Sequence, residues 1–65
     1  MREVVIKCQF EKDNPYYFKP NRGFLVQFIV SPVGQYLGIV EMVDGSIKAF
    51  PISNIYYKYP ASGEN

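Results

Sequence analysis

The chain has no His and a single Cys in 65 residues. The first absence removes the commonest general base, proton shuttle and metal ligand. The second excludes an internal disulfide framework. Secreted domains of this size usually carry disulfide staples, so a reducing, cytoplasmic location is expected. The net charge is +1, too little to argue for a polyanionic partner by itself. No apolar run reaches membrane-spanning length, and no N-terminal signal segment is read. Repeats and low-complexity segments are absent. The acids Glu3, Glu11, Asp13, Glu41 and Asp44 are scattered, which leaves no metal-ligand cluster. Gly34, Gly38 and Gly45 read as turn or strand glycines, not as a phosphate-binding fingerprint. The expectation is a protein that is not an enzyme, with no catalytic residue, no metal and no cofactor.

What is present is apolar and aromatic bulk: 48% hydrophobic residues and 17% aromatics, with 6 Tyr. That is a globular composition, and the length allows one domain, residues 1–60. A domain this small buries only about 60% of its unfolded surface. Its core is expected to supply roughly 3–5 kcal/mol. Tyr suits such a chain because its ring covers a core while its hydroxyl stays wet.

Strand patterning runs through most of the sequence. Residues 2–10 alternate, with Val4, Ile6, Cys8 and Phe10 on one face, which predicts a first strand. Cys8 reads there as a small buried hydrophobe. Pro15, Asp13 and Asn14 break the strand, and residues 11–23 form a long connection around Tyr16-Tyr17-Phe18. Residues 24–31 are the most apolar run. Their shortness and their flanks, Gly23 and Pro32, favour a second strand over a helix. A turn at residues 32–35 leads into a third strand, 36–43. Residues 46–50 form a fourth, 51–54 suit one 3₁₀ turn, and 55–59 form the last. Within the last strand Ile55, Tyr57 and Tyr59 share one face, and Tyr56 and Lys58 the other. The tail, 61–65, has nothing to bury. Its last three residues, Gly63-Glu64-Asn65, are read as either native or left over from a protease site.

Asp44-Gly45 lies between two β-prone runs and predicts a two-residue type I′ hairpin turn. That turn would pair Met42 with Ile47, Glu41 with Lys48, and Val40 with Ala49. Val40, Met42, Ile47 and Ala49 would then share the apolar face, opposite a Glu41–Lys48 ion pair. The predicted core is Val4, Ile6, Phe10, Val26, Phe28, Val40, Met42, Ile47 and Ile55. Leu25 and Ile29, on the other face of the second strand, are also apolar. Either the aromatic loop or an oligomer interface would have to cover them.

Five short strands, a long first connection, a tight central hairpin and a 3₁₀ turn before the last strand resemble the order of SH3-like small β-barrels. The stretch Val40-Glu41-Met42-Val43-Asp44-Gly45, followed by Phe50-Pro51-Ile52-Ser53-Asn54-Ile55, carries the likeness. Short phage and prophage proteins often have a similar end. The resemblance implies an all-β, five-stranded SH3-like small barrel. It does not extend to Pro-rich ligands, because the Trp characteristic of that groove is missing here.

The surplus feature is a set of rings among cations. Tyr16, Tyr17 and Phe18 lie between Lys12, Lys19 and Arg22, and Tyr56, Tyr57 and Tyr59 surround Lys58. Such sets serve protein interfaces, where Tyr and Arg dominate the energy, and also nucleic-acid platforms. The plainer alternative is that the rings cap a barrel too small to cover itself. The expected role is a protein-binding module, of the kind of a phage or prophage accessory or inhibitor protein. Its predicted contact residues are Tyr16, Tyr17, Arg22, Tyr56 and Lys58. The alternatives are a single-stranded nucleic-acid binder and a homo-oligomeric structural protein. No membrane partner is expected.

Overall fold

The computed structural model describes residues 1–58. Tyr59, expected in the last strand, and the expected tail 61–65 lie outside the described residues. Within them the chain is all-β apart from two single helical turns. The elements are β1 (Arg2–Ile6), α1 (Pro15–Phe18), β2 (Asn21–Val30), β3 (Tyr36–Met42), β4 (Ile47–Pro51), a 3₁₀ turn (Ile52–Asn54) and β5 (Ile55–Tyr57). The strands form one antiparallel sheet in the order β4-β3-β2-β1-β5. The sheet is not closed into a barrel: β4 and β5 are its outer strands.

The first strand is shorter than its alternation suggests. After Ile6 the chain leaves the sheet, with Lys7 N–H donating to Asn54 O at 2.8 Å and Cys8 N–H to Tyr16 O at 3.3 Å. Cys8 stays buried, as its alternation predicts, but Phe10 is 81% exposed and is no core residue. The long connection contains a helical turn that the sequence pattern did not reveal. Pro15 supplies the preset φ of a first helical position, and Asn14 caps it by accepting from Tyr16 N–H at 2.9 Å. One turn is too short to produce helical periodicity, so the sequence pattern there reads as loop.

Both hairpins use the same turn. Gly34 N–H donates to Ser31 O at 2.9 Å and Ser31 N–H to Gln35 O at 2.8 Å. Gly45 N–H donates to Met42 O at 2.9 Å and Met42 N–H to Ser46 O at 2.7 Å. The loop residues before each Gly have negative φ, while Gly34 and Gly45 have φ of 84° and 91°. Each turn is therefore a three-residue loop, a type I turn closed by a left-handed Gly, and not the two-residue type I′ turn expected at Asp44-Gly45. Side chains favour the longer loop. Ser46 N–H and Oγ–H both donate to Asp44 Oδ1, at 2.9 and 2.6 Å, and Gln35 N–H donates to Ser31 Oγ at 3.0 Å.

The extra loop residue moves β4 by one. Glu41 pairs with Ile47 and Val40 with Lys48, so the expected Glu41–Lys48 pair does not form. A one-residue slip sends every side chain to the other face. Ile47, expected in the core, is 66% exposed, Ala49, expected on the same apolar face, is exposed too, and Phe50 lies inside.

Before its bulge the second strand runs in the opposite phase to the prediction. Leu25 faces inward, and a bulge between Leu25 and Gln27 resets the register with β3. Val26 and Phe28, both expected inside, are exposed. The core is Val4, Ile6, Leu25, Val40, Met42 and Phe50, with Tyr16 and Ile55 packed against it. Two glycines let the strands close over it. A Cβ on Gly23 would lie 2.6 Å from Glu41 O, and one on Gly38 would strike Ile55 Cδ1.

Candidate partner-binding face

Val4 and Ile6 point into the core, so Glu3 and Val5 point to the outer face of β1. Directly opposite residues share a face. Val5 pairs with both Arg22 on β2 and Tyr56 on β5, which aligns Tyr56, Val5 and Arg22 in one row. Glu3 pairs with Phe24, and Lys58 N–H donates to Glu3 O at 3.1 Å, which sets a second row beside the first. Phe24 is paired in turn with Glu41, and Glu41 with Ile47, so the second row continues across β3 to β4.

The electrostatic centre of this face is Glu3. Its Oε2 lies 3.6 Å from Arg22 Nη1 and 3.4 Å from Lys58 Nζ. Tyr56 is oriented by Gln9, whose side-chain amide donates to the Tyr56 hydroxyl. Opposite the face, on the inner side of β5, Arg2 lies 3.7 Å over the ring of Tyr57.

Of the five predicted contact residues, the fold therefore gathers Arg22, Tyr56 and Lys58. Arg22 does so as a strand residue, since β2 begins at Asn21 and not after the connection. Tyr16 and Tyr17 belong to α1. Tyr16 packs edge-on against Phe50 with ring centroids 5.5 Å apart, and Lys48 Nζ donates to its hydroxyl at 3.4 Å. It covers the core, as the plainer reading of these rings requires. Tyr17 is half-buried and lies edge-on to Phe18 at 4.9 Å.

Glu3 and Phe24 join this face without being singled out by the sequence pattern. Glu3 is out of phase with Val4 and Ile6, so its outward direction was legible. Phe24 was not, because β2 is apolar on both faces and the phase of its pattern is ambiguous.

Among the described residues no cavity is present, no cluster of three His, Cys, Asp or Glu could hold a metal, and no helix is long and apolar enough to cross a membrane. Comparison with protein-family models, with curated proteins and with solved structures gives no match.

Proposed function

We propose that this chain is a non-enzymatic protein-binding module, with the outer face of β5-β1-β2 as its contact surface and Tyr56, Arg22 and Phe24 as anchors. Its fold is read as an SH3-like small barrel left open at one seam. The strand order, with a 3₁₀ turn before the last strand, supports that reading. The role of a phage or prophage accessory or inhibitor in a cytoplasmic setting rests on the sequence resemblance and the lone Cys8.

One observation favours a protein partner over a nucleic acid: Glu3 bridges Arg22 and Lys58. A phosphate-tracking groove needs cations aligned without an intervening carboxylate. Here one carboxylate stands between the two cations and is shared by them, and rings and charges of both signs alternate, as in the rims and anchors of protein interfaces.

The test is affinity capture with the intact chain and with a Tyr56→Ala/Arg22→Ala double variant. A protein retained by the first and lost by the second, at low and high salt alike, supports the reading, provided the two melt at similar temperatures. Binding of a labelled oligonucleotide that weakens steeply with salt would overturn it in favour of the nucleic-acid alternative.

A further inference from the structure

Every charged residue of the chain lies outside residues 23–40. That uncharged stretch includes the end of β2 and its turn into β3. It has an unusual edge. Strand β1 pairs with β2 only as far as Leu25, opposite Arg2. Beyond it the last five residues of β2 run roughly 15 Å, at ~3.3 Å per residue, with β3 on one side and no strand among the described residues on the other.

The hydrogen-bond phase shows which groups address that edge. The Ser31/Gln35 pair is a bonded one, and antiparallel ladders alternate bonded and non-bonded pairs. Ile29/Leu37 is thus bonded, while Val30/Tyr36 and Phe28/Gly38 are not. Phe28 and Val30 therefore direct their N–H and C=O groups away from β3, onto the free edge. Their side chains are 56% and 57% exposed, and Tyr36 beside them is 61% exposed.

The other long edge is β4. Its phase follows from Met42 N–H bonding Ser46 O, so Ile47 and Ala49 address that edge. The two edges differ in protection. Natural edge strands are blunted by Lys, by Pro or by shortness. β4 carries Lys48 between its two outward-bonding residues and ends in Pro51, while β5 is three residues long. The β2 edge carries Ile29 at the place that Lys48 holds on β4, and its regular register past the bulge has no charge and no Pro.

We propose that a second copy of this chain occupies the β2 edge. The two strands pair antiparallel about a two-fold axis at Ile29. Phe28 faces the partner's Val30 and Val30 faces the partner's Phe28, with four main-chain hydrogen bonds between them. Ile29 packs against the partner's Ile29 in the close, non-bonded position. A two-fold interface sets a surface against itself, so any charge near the axis meets its like. Residues 23–40 avoid that cost, whereas the same pairing on β4 would oppose Lys48 to its own copy. The resulting dimer joins two five-stranded sheets into one and leaves the outer face of β5-β1-β2 free, so it is independent of the function proposed above.

Sedimentation of the full chain over a range of concentrations should show a concentration-dependent dimer. Val30→Pro removes an N–H that faces the edge and costs no bond to β3, so it should abolish the dimer while the circular dichroism spectrum is kept. Ile29→Lys should do the same by charge repulsion. Tyr56→Ala/Arg22→Ala should leave the dimer intact. Hydrogen exchange on the wild-type chain covers the case in which a variant fails to fold. The Phe28 and Val30 amides should be protected at high concentration and lose that protection on dilution. A chain that stays monomeric at its solubility limit, a dimer that survives both edge variants, or a dimer in which those two amides exchange freely would each overturn the proposal.

Discussion

The two hairpins of this molecule share one turn and meet different fates. Each closes with a type I turn and a left-handed Gly, and each has aromatic or long apolar residues on the inner side of its strands. In the β3–β4 hairpin those residues are core: Val40, Met42 and Phe50 are buried. In the distal part of the β2–β3 hairpin their counterparts Phe28, Val30 and Tyr36 are exposed. The difference does not lie in composition. Tyr16 of α1 lies against Phe50, whereas β1 stops before it reaches Phe28. A strand residue becomes core when another element reaches it, and the hydrophobic pattern alone does not report that reach.

The sharpest way to break this comparison is to truncate one Phe from each hairpin. Phe50→Ala removes a buried ring and should cost about 3–5 kcal/mol. That is comparable to the whole stability expected of a core this size, roughly 3–5 kcal/mol, so the variant should be largely unfolded by circular dichroism. Phe28→Ala, in a dilute sample, should cost under ~1 kcal/mol, as surface substitutions do. Equal losses would mean that the arm is covered in solution by something other than the β2-edge dimer.

The turns offer a second, smaller contrast. A Cβ at Gly34 or at Gly45 meets nothing within 4 Å. Gly34→Val and Gly45→Val therefore measure backbone strain alone, about 1–2 kcal/mol for an L-residue forced into left-handed geometry. Thermal or urea melts should give similar losses for the two. A much cheaper Gly34→Val would show that the uncharged arm frays without unfolding the sheet.

The smallest effect separates the turns by pH. Asp44 has its pKa held below the ordinary carboxylate value, chiefly by the hydrogen bonds from the Ser46 hydroxyl and N–H. A depressed pKa contributes stability that is present above the ordinary carboxylate range and is lost as pH falls through the folded-state value. In the other hairpin the corresponding amide, Gln35 N–H, donates to the Ser31 hydroxyl, which does not titrate. Acidification should therefore speed exchange of the Ser46 amide and leave that of Gln35 unchanged, and Asp44→Asn should remove the difference.

Much of the architecture was legible before the fold was seen. The strands, the 3₁₀ turn, both turn sites, the positive φ of Gly45 and the burial of Cys8 follow from alternation and turn chemistry. The hairpin register did not follow, because Asp-Gly serves both a two-residue and a three-residue loop. The Asp44–Ser46 hydrogen bonds accompany the longer one, and that single residue sends Ile47 outward and Phe50 inward. The phase of β2 before its bulge did not follow either, since both faces of the strand are apolar and the bulge between Leu25 and Gln27 interrupts the alternation. Of the contact residues, Tyr56 and Lys58 were correctly placed on a common face. Arg22 joined them because β2 starts early, and Tyr16 left them because α1 turns it onto Phe50.

The sequence by itself determined an all-β chain: where it extends and where it turns. Those properties are local, set by side-chain alternation and by residues suited to turns. Tertiary structure decided which of two apolar faces is inside, where β1 abandons β2, and that Glu3 stands between Arg22 and Lys58. Each of these depends on how far a neighbouring strand reaches and in what register. Both are settled by packing between segments distant in the chain.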